Sequence, residues 1–118
     1  MKIQNKLPNS IEAERAILGA ILNEKTAFSI AKTFIKSDAF FDNKNRAIFL
    51  ACDELFIYNE PIDLITVSRV LRSKKEGLNN NLEMVGGLDA LVCLSQDISS
   101  SSNIEFHCRI VMEMWMRR

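Results

Sequence analysis

Apolar residues recur along this chain three and four positions apart, and short polar or glycine-containing breaks separate the repeats. Ala13, Ile17, Ala20 and Ile21 form the first stripe, widened by Leu18 and Leu22. That spacing predicts a helix. Pro8-Asn9-Ser10 precedes it. Asn9 or Ser10 can cap the helix, and Glu12 and Glu14 suit the positive end of its dipole. Gly19 sits inside it at a cost of about 1 kcal/mol relative to alanine, which points to close approach by another helix. Ala27, Ile30, Ala31 and Phe34 repeat the spacing and predict a shorter helix over residues 26–35. Ser37-Asp38 breaks it, and Phe40 and Phe41 are expected to anchor the turn in the core. Ile48, Ala51, Cys52 and Leu55 predict a third helix over residues 43–58.

Asn59-Glu60-Pro61 ends that helix, since proline disfavours helical geometry in the residue before it. Asp63 then caps a fourth helix, residues 64–74, on Leu64, Val67, Val70 and Leu71. Residues 74–87 are the least ordered by composition, with Gly77, the asparagines Asn79, Asn80 and Asn81, and Gly86-Gly87. The glycine pair reads as a loop-to-helix turn needing unusual backbone angles. A fifth helix, residues 88–98, follows on Leu88, Leu91, Val92 and Leu94.

A serine turn over residues 99–102 leads into the last helix, with Ser102 and Glu105 spaced as a capping box. Here Ile104, Cys108, Ile110, Val111, Met112, Met114 and Trp115 cover roughly 200° of arc, about twice what a surface helix needs. After Asn103 no residue that stops a helix precedes Arg118. The surplus apolar face calls for cover from the domain, a partner or a continuation of the chain. The fold expected is all-α, a compact bundle of about six helices.

Composition narrows the function classes. The chain has 118 residues, the size of one domain. Fifteen Lys and Arg balance fifteen Asp and Glu. That leaves no electrostatic footprint for nucleic acid or an anionic membrane. The three cysteines, Cys52, Cys93 and Cys108, have no paired spacing and fit free thiols in a reducing cytoplasm. No apolar run approaches the roughly 20 residues of a membrane span.

Candidate chemistry is sparse. There is no G-x-x-x-x-G-K-[ST] phosphate loop, and Gly86-Gly87 is followed by Leu88 and Asp89 rather than lysine. The single histidine, His107, has no second histidine or close cysteine pair with which to build a zinc site. Glu12 and Glu14 are two apart on a helix and point in different directions, so dipole complementarity explains them better than acid–base pairing. No catalytic, cofactor-binding or metal residue is expected. The basic run Arg69-Val70-Leu71-Arg72-Ser73-Lys74-Lys75 supports an alternative reading, a helical DNA-binding module of the helix-turn-helix kind. The zero net charge counts against it.

Six motifs in order carry a family resemblance. Leu7-Pro8-Asn9-Ser10-Ile11-Glu12-Ala13-Glu14-Arg15-Ala16-Ile17-Leu18-Gly19 resembles the P-x-S-x-E-A-E-x-x-x-L-G opening of bacterial replicative DNA helicases of the DnaB type. Asp38-Ala39-Phe40-Phe41 resembles the family's D-F-Y/F turn with an inserted or substituted alanine, and Arg46-Ala47-Ile48-Phe49 matches its H/R-x-x-I-F step in part. Pro61-Ile62-Asp63-Leu64-Ile65-Thr66-Val67, Val85-Gly86-Gly87 and the pairs Asn103-Ile104 and Ile110-Val111 follow in register.

The resemblance implies the helical N-terminal domain of a hexameric helicase. The ATPase, with its ATP and Mg, would then lie in a separate domain beyond a linker, and DNA would be bound there. Family N-terminal domains form a collar, a trimer of dimers, that recruits primase; a helicase loader is a further candidate partner. Residues 1–98 would be the globular part, and residues 99–118 the first arm of a helical hairpin that pairs protomers; lacking the second arm, that tail is expected to fray or to dock on a second copy. The residues expected at protomer contacts are Ile104, Cys108, Val111, Met112 and Trp115. Gly19, Pro61, Asp63, Gly86 and Gly87 are expected to be architectural.

Overall fold

The computed structural model describes residues 9–96 and 103–118. Seven α-helices appear among them: α1 (Ile11–Asn23), α2 (Ala27–Phe34), α3 (Asn43–Ile57), α4 (Leu64–Ser73), α5 (Asn81–Met84), α6 (Gly87–Gln96) and α7 (Ile104–Arg117). A single 3-10 turn, Ser37–Ala39, joins α2 to α3. The bundle is all-α, apart from a two-residue antiparallel pairing between Lys75–Glu76 and Asn79–Asn80.

The central element is α1. Ile17, Leu18, Gly19, Ala20, Ile21 and Leu22 are buried in succession, the signature of a helix surrounded by neighbours rather than laid on a surface. It packs against α2, α3, α6 and α7. Ser10 starts it, its hydroxyl accepting from the Ala13 N–H at 3.2 Å. At the other end Asn23 Nδ2 donates to Gly19 O at 3.0 Å and to Ser95 O at 2.6 Å, fastening the end of α1 to the end of α6. A chain of aromatic rings links α2 and α3 to the turn between them. Phe28 lies 5.1 Å from Phe49 and 5.2 Å from Phe56, and Phe40 lies 4.9 Å from Phe49. These separations suit tilted ring packing. Phe40 is fully buried, whereas Phe41, also expected in the core, is only half-buried because its ring faces the end of α7.

Asp63 begins α4 as a capping box, accepting from the Thr66 N–H at 2.9 Å while its own N–H donates to Thr66 Oγ1 at 2.9 Å. The segment left as loop by composition holds the small hairpin and α5. Gly77, at φ +74°, makes the hairpin turn. Asn80 and Glu83 then form a second capping box that starts α5. A four-residue helix has too few apolar positions to show a period, so its only trace in the sequence is that cap. Ser102, the residue expected to cap α7, lies outside the described residues; Glu105 forms an ion pair with Arg109.

Gly86 and Gly87 turn α5 into α6 at φ +108° and +81°, backbone angles that side chains resist. A Cβ on Gly86 would also stand 2.9 Å from the Ala90 Cβ. Gly86→Ala is therefore expected to destabilise the domain by about 2 kcal/mol, read as a lowered urea midpoint at unchanged slope.

Candidate protomer interface

The last helix is docked on its own domain. It packs against α1, α2 and the Ser37–Ala39 turn. Ile104, Cys108 and Val111, spaced four and three, are buried at 1%, 0% and 1% exposure. The expectation of a frayed tail is thereby corrected: α1 and α2 cover most of the arc that composition left over. Three of the five residues expected at protomer contacts thus face inward and hold α7 in place. Trp115 continues their line one turn on and is 36% exposed. Met112 packs at the margin of the core, and Met116 beyond it is 78% exposed. A shallow groove of about 490 Å³ runs here between Phe34 of α2 and Met112 and Met116 of α7. Arg109 and Arg117 edge it, each paired along α7 with a glutamate, Glu105 and Glu113.

Two residues set the path of α7, and sequence spacing singled out neither. The guanidinium of Arg118 donates to Ala39 O at 2.8 Å and lies 5.3 Å from the Phe41 ring centre. The turn it grips is held from the other side by Glu14. This carboxylate, 1% exposed, accepts from the backbone N–H of Phe41 at 2.7 Å, from that of Asp42 at 3.3 Å and from Asn45 Nδ2 at 3.0 Å. Arg46 donates to Phe40 O at 2.9 Å within the same turn. Glu14 is therefore the fixing point between α1 and the start of α3, more than a partner of the α1 dipole. Helical phase carries the signal: Glu14 stands three, four and seven residues before Ile17, Leu18 and Ile21, on the buried stripe. Glu12 is exposed.

Leaving buried N–H groups unpaired costs about 1–3 kcal/mol each. Glu14→Ala is expected to lower unfolding free energy by about 3 kcal/mol and Glu14→Gln, which keeps one acceptor, by about 1–2 kcal/mol, measured by urea titration.

The basic run on α4 is partly neutralised. Lys74 pairs with Glu54 at 2.8 Å, and Arg69 faces Glu60 at 3.7 Å. The hydrogen bond to Glu54 raises the Lys74 pKa from its ordinary value. Val67, Ser68, Val70 and Leu71 are buried, so α4 offers solvent a narrow face. Pro61 is exposed just past Asn59, which ends α3 at φ +59°, and Gly19 is buried within α1.

Among the described residues no group of three or more His, Cys, Asp or Glu is placed to hold a metal ion. His107 is half-buried, its ring 5.9 Å from Phe106. Cys93 is exposed, whereas Cys52 and Cys108 are buried. Burial pushes both buried thiols up from 9.0 to about 12, with the nearby carboxylates of Asp53 and Glu105 adding to the effect. At mild alkaline pH only Cys93 is expected to react promptly with a thiol reagent. The unfolded chain releases both protons near pH 9 and the folded chain holds them to about 12. Stability is therefore full below pH 9 and falls as pH rises through that window. The fall should be shallower in Cys108→Ala, read by thermal melts across alkaline pH.

The geometry defines an all-α domain wrapped around one central helix, whose final helix keeps an apolar edge in solvent. Residues 6–113 match the family model of the DnaB-like helicase N terminal domain, and the chain belongs to that family. It is 37% identical over 111 residues to the replicative DNA helicase DnaB of Rhodothermus marinus, covering 94% of this chain and 11% of that protein. It is 34% identical over 106 residues to the replicative DNA helicase DnaC of Bacillus subtilis (strain 168), covering 90% of this chain and 22% of that protein. The chain thus spans less than a quarter of either relative. The crystal structure of the N-terminal domain of DnaB helicase from Mycobacterium tuberculosis superposes with a TM-score of 0.86 at 26% identity, covering 96% of this chain and 75% of that one.

Proposed function

We propose that this N-terminal domain of a replicative helicase works by assembly and partner docking, with no reaction of its own. The observation that carries the reading is the solvent edge of α7, where Met112 and Met116 line a groove with Phe34 and Trp115 is part-exposed, on a helix whose inner face is already engaged. An apolar edge on an otherwise well-packed domain is the usual mark of an association surface. A second copy packs along this edge, with residues 99–118 as the first arm of a pairing hairpin that follows the globular part, residues 1–98. Ile104, Cys108 and Val111 support the contact from within, and Met112 and Trp115 make it.

In the intact protein the pairs assemble as a trimer of dimers, a hexameric collar that receives primase and is reached by a helicase loader. Unwinding, DNA contact and the use of ATP and Mg belong to a motor domain outside these residues. The setting is the cytoplasm; among the described residues no helix is long and apolar enough to cross a membrane.

Sedimentation across a concentration series tests the association. Reversible self-association is expected, weakened about tenfold or more by Trp115→Ala and by Met116→Asp, since a few apolar anchors dominate such contacts. A monomer at every concentration, or association unchanged in both variants, contradicts the reading. Nanomolar, steeply salt-dependent binding to random duplex DNA would favour the helix-turn-helix alternative instead.

A further inference from the structure

The outer side of α7 is mirrored about its middle. Ile104, Cys108 and Val111 are buried against the domain, so the opposite face of the helix is turned to solvent. Phe106, Arg109, Glu113 and Met116, spaced three, four and three, run along that outer face, and all four are exposed. Residue types reverse about Val111. Arg109 answers Glu113, Glu105 answers Arg117, Phe106 answers Met116, and Ile110 answers Met112. Each charge has its opposite, and each of these apolar residues an apolar counterpart, at the same distance beyond the midpoint.

Pairing within the helix explains the charges alone: Arg109 meets Glu105, and Arg117 meets Glu113 at 3.0 Å. It does not explain Phe106 and Met116, which are 64% and 78% exposed at mirrored positions. A helix patterned in this way matches itself when its direction is reversed. In a parallel pair in register, Arg109 meets Arg109 and Glu113 meets Glu113, two like-charge contacts. In an antiparallel pair with its two-fold axis level with Val111, Arg109 of each copy lies beside Glu113 of the other, and Phe106 lies beside Met116 at either end. A spacing of three, four and three is also the seam spacing of paired helices.

We propose that a second copy pairs with this chain α7 against α7, antiparallel, about a two-fold axis level with Val111. This rests on the self-association proposed above and adds its direction, register and selectivity. Two ion pairs between chains, Arg109 with Glu113, form the centre as each helix exchanges its internal partners. Two Phe106–Met116 contacts form the ends. The same patch serves both copies, so assembly through it stops at the dimer. The groove at Phe34, Met112 and Met116 flanks the pair. A second cleft, also of about 490 Å³, opens between α3, α4 and α5; none of its lining residues is on α7, and it stays outside the contact.

Charge exchange in the 118-residue chain tests the arrangement, read by sedimentation over a concentration series. Arg109→Glu and Glu113→Arg should each weaken dimerisation about tenfold or more, because each turns two attractions into two repulsions. The double variant should regain it, and an equimolar mixture of the two single variants should form a heterodimer about as strong as the native pair. Mixing cannot mend an ion pair lost within one helix, so the mixture isolates the contact between chains. Both positions are exposed, and circular dichroism checks that each variant keeps its helix content. Single variants that weaken dimerisation with no recovery on mixing would overturn the proposal. So would single variants that associate as well as the native chain and a mixture that associates far better, the signature of a parallel pair. Association weakened by Met116→Asp yet indifferent to every charge exchange sinks the register and leaves the self-association reading standing. A monomer at every concentration sinks both.

Discussion

A single buried carboxylate ties the domain together. Glu14 leaves the first turn of the central helix and accepts hydrogen bonds from Phe41, Asp42 and Asn45. Those are backbone and side-chain groups at the entrance to α3, which would otherwise meet an apolar interior with their N–H groups unpaired. The bond to Phe41 fixes the turn, the turn places Phe40 against Phe49, and Phe49 meets Phe28 of α2. The outer side of the same turn offers Ala39 O and the Phe41 ring to Arg118. Three segments far apart in sequence thus converge on a few residues between two helices. The direction of α7, and with it the placement of the apolar edge, depends on a charge lodged in α1.

The helices were legible in the sequence because each long one carries a stripe with helical period, and α1 and α4 add a chemical start signal. Ser10 and Asp63 cap where their side chains and spacing say they should. The junction was less legible. Glu12 and Glu14 are equally acidic and equally close to a helix start, and only the rotation of the helix decides that one is solvated and the other buried. What waits at that rotation is supplied by residues about thirty positions later, which no local pattern encodes. The same limit applied to α7. Its apolar arc was read correctly as needing cover, but the cover is α1 and α2, whose own stripes looked complete without it.

The two clefts differ in kind. The groove beside α7 is apolar at Phe34, Met112 and Met116 and edged by ion pairs that contribute little alone, suiting a contact made by area and shape. The cleft between α3, α4 and α5 combines an apolar wall at Leu50, Val70 and Met84 with the charged side chains of Lys44, Glu54 and Lys74. The two lie on different helices and share no lining residue.

The near-total burial of α1 has a mechanical consequence. Nearly every residue from Ala13 to Leu22 is enclosed, so its amides reach solvent only when the bundle around it opens. Hydrogen exchange along α1 would then report global unfolding rather than local breathing. In the assembly proposed above, a change of shape would then come from tilting whole bundles about their contacts, with α1 as the stiff spine of each tilting unit.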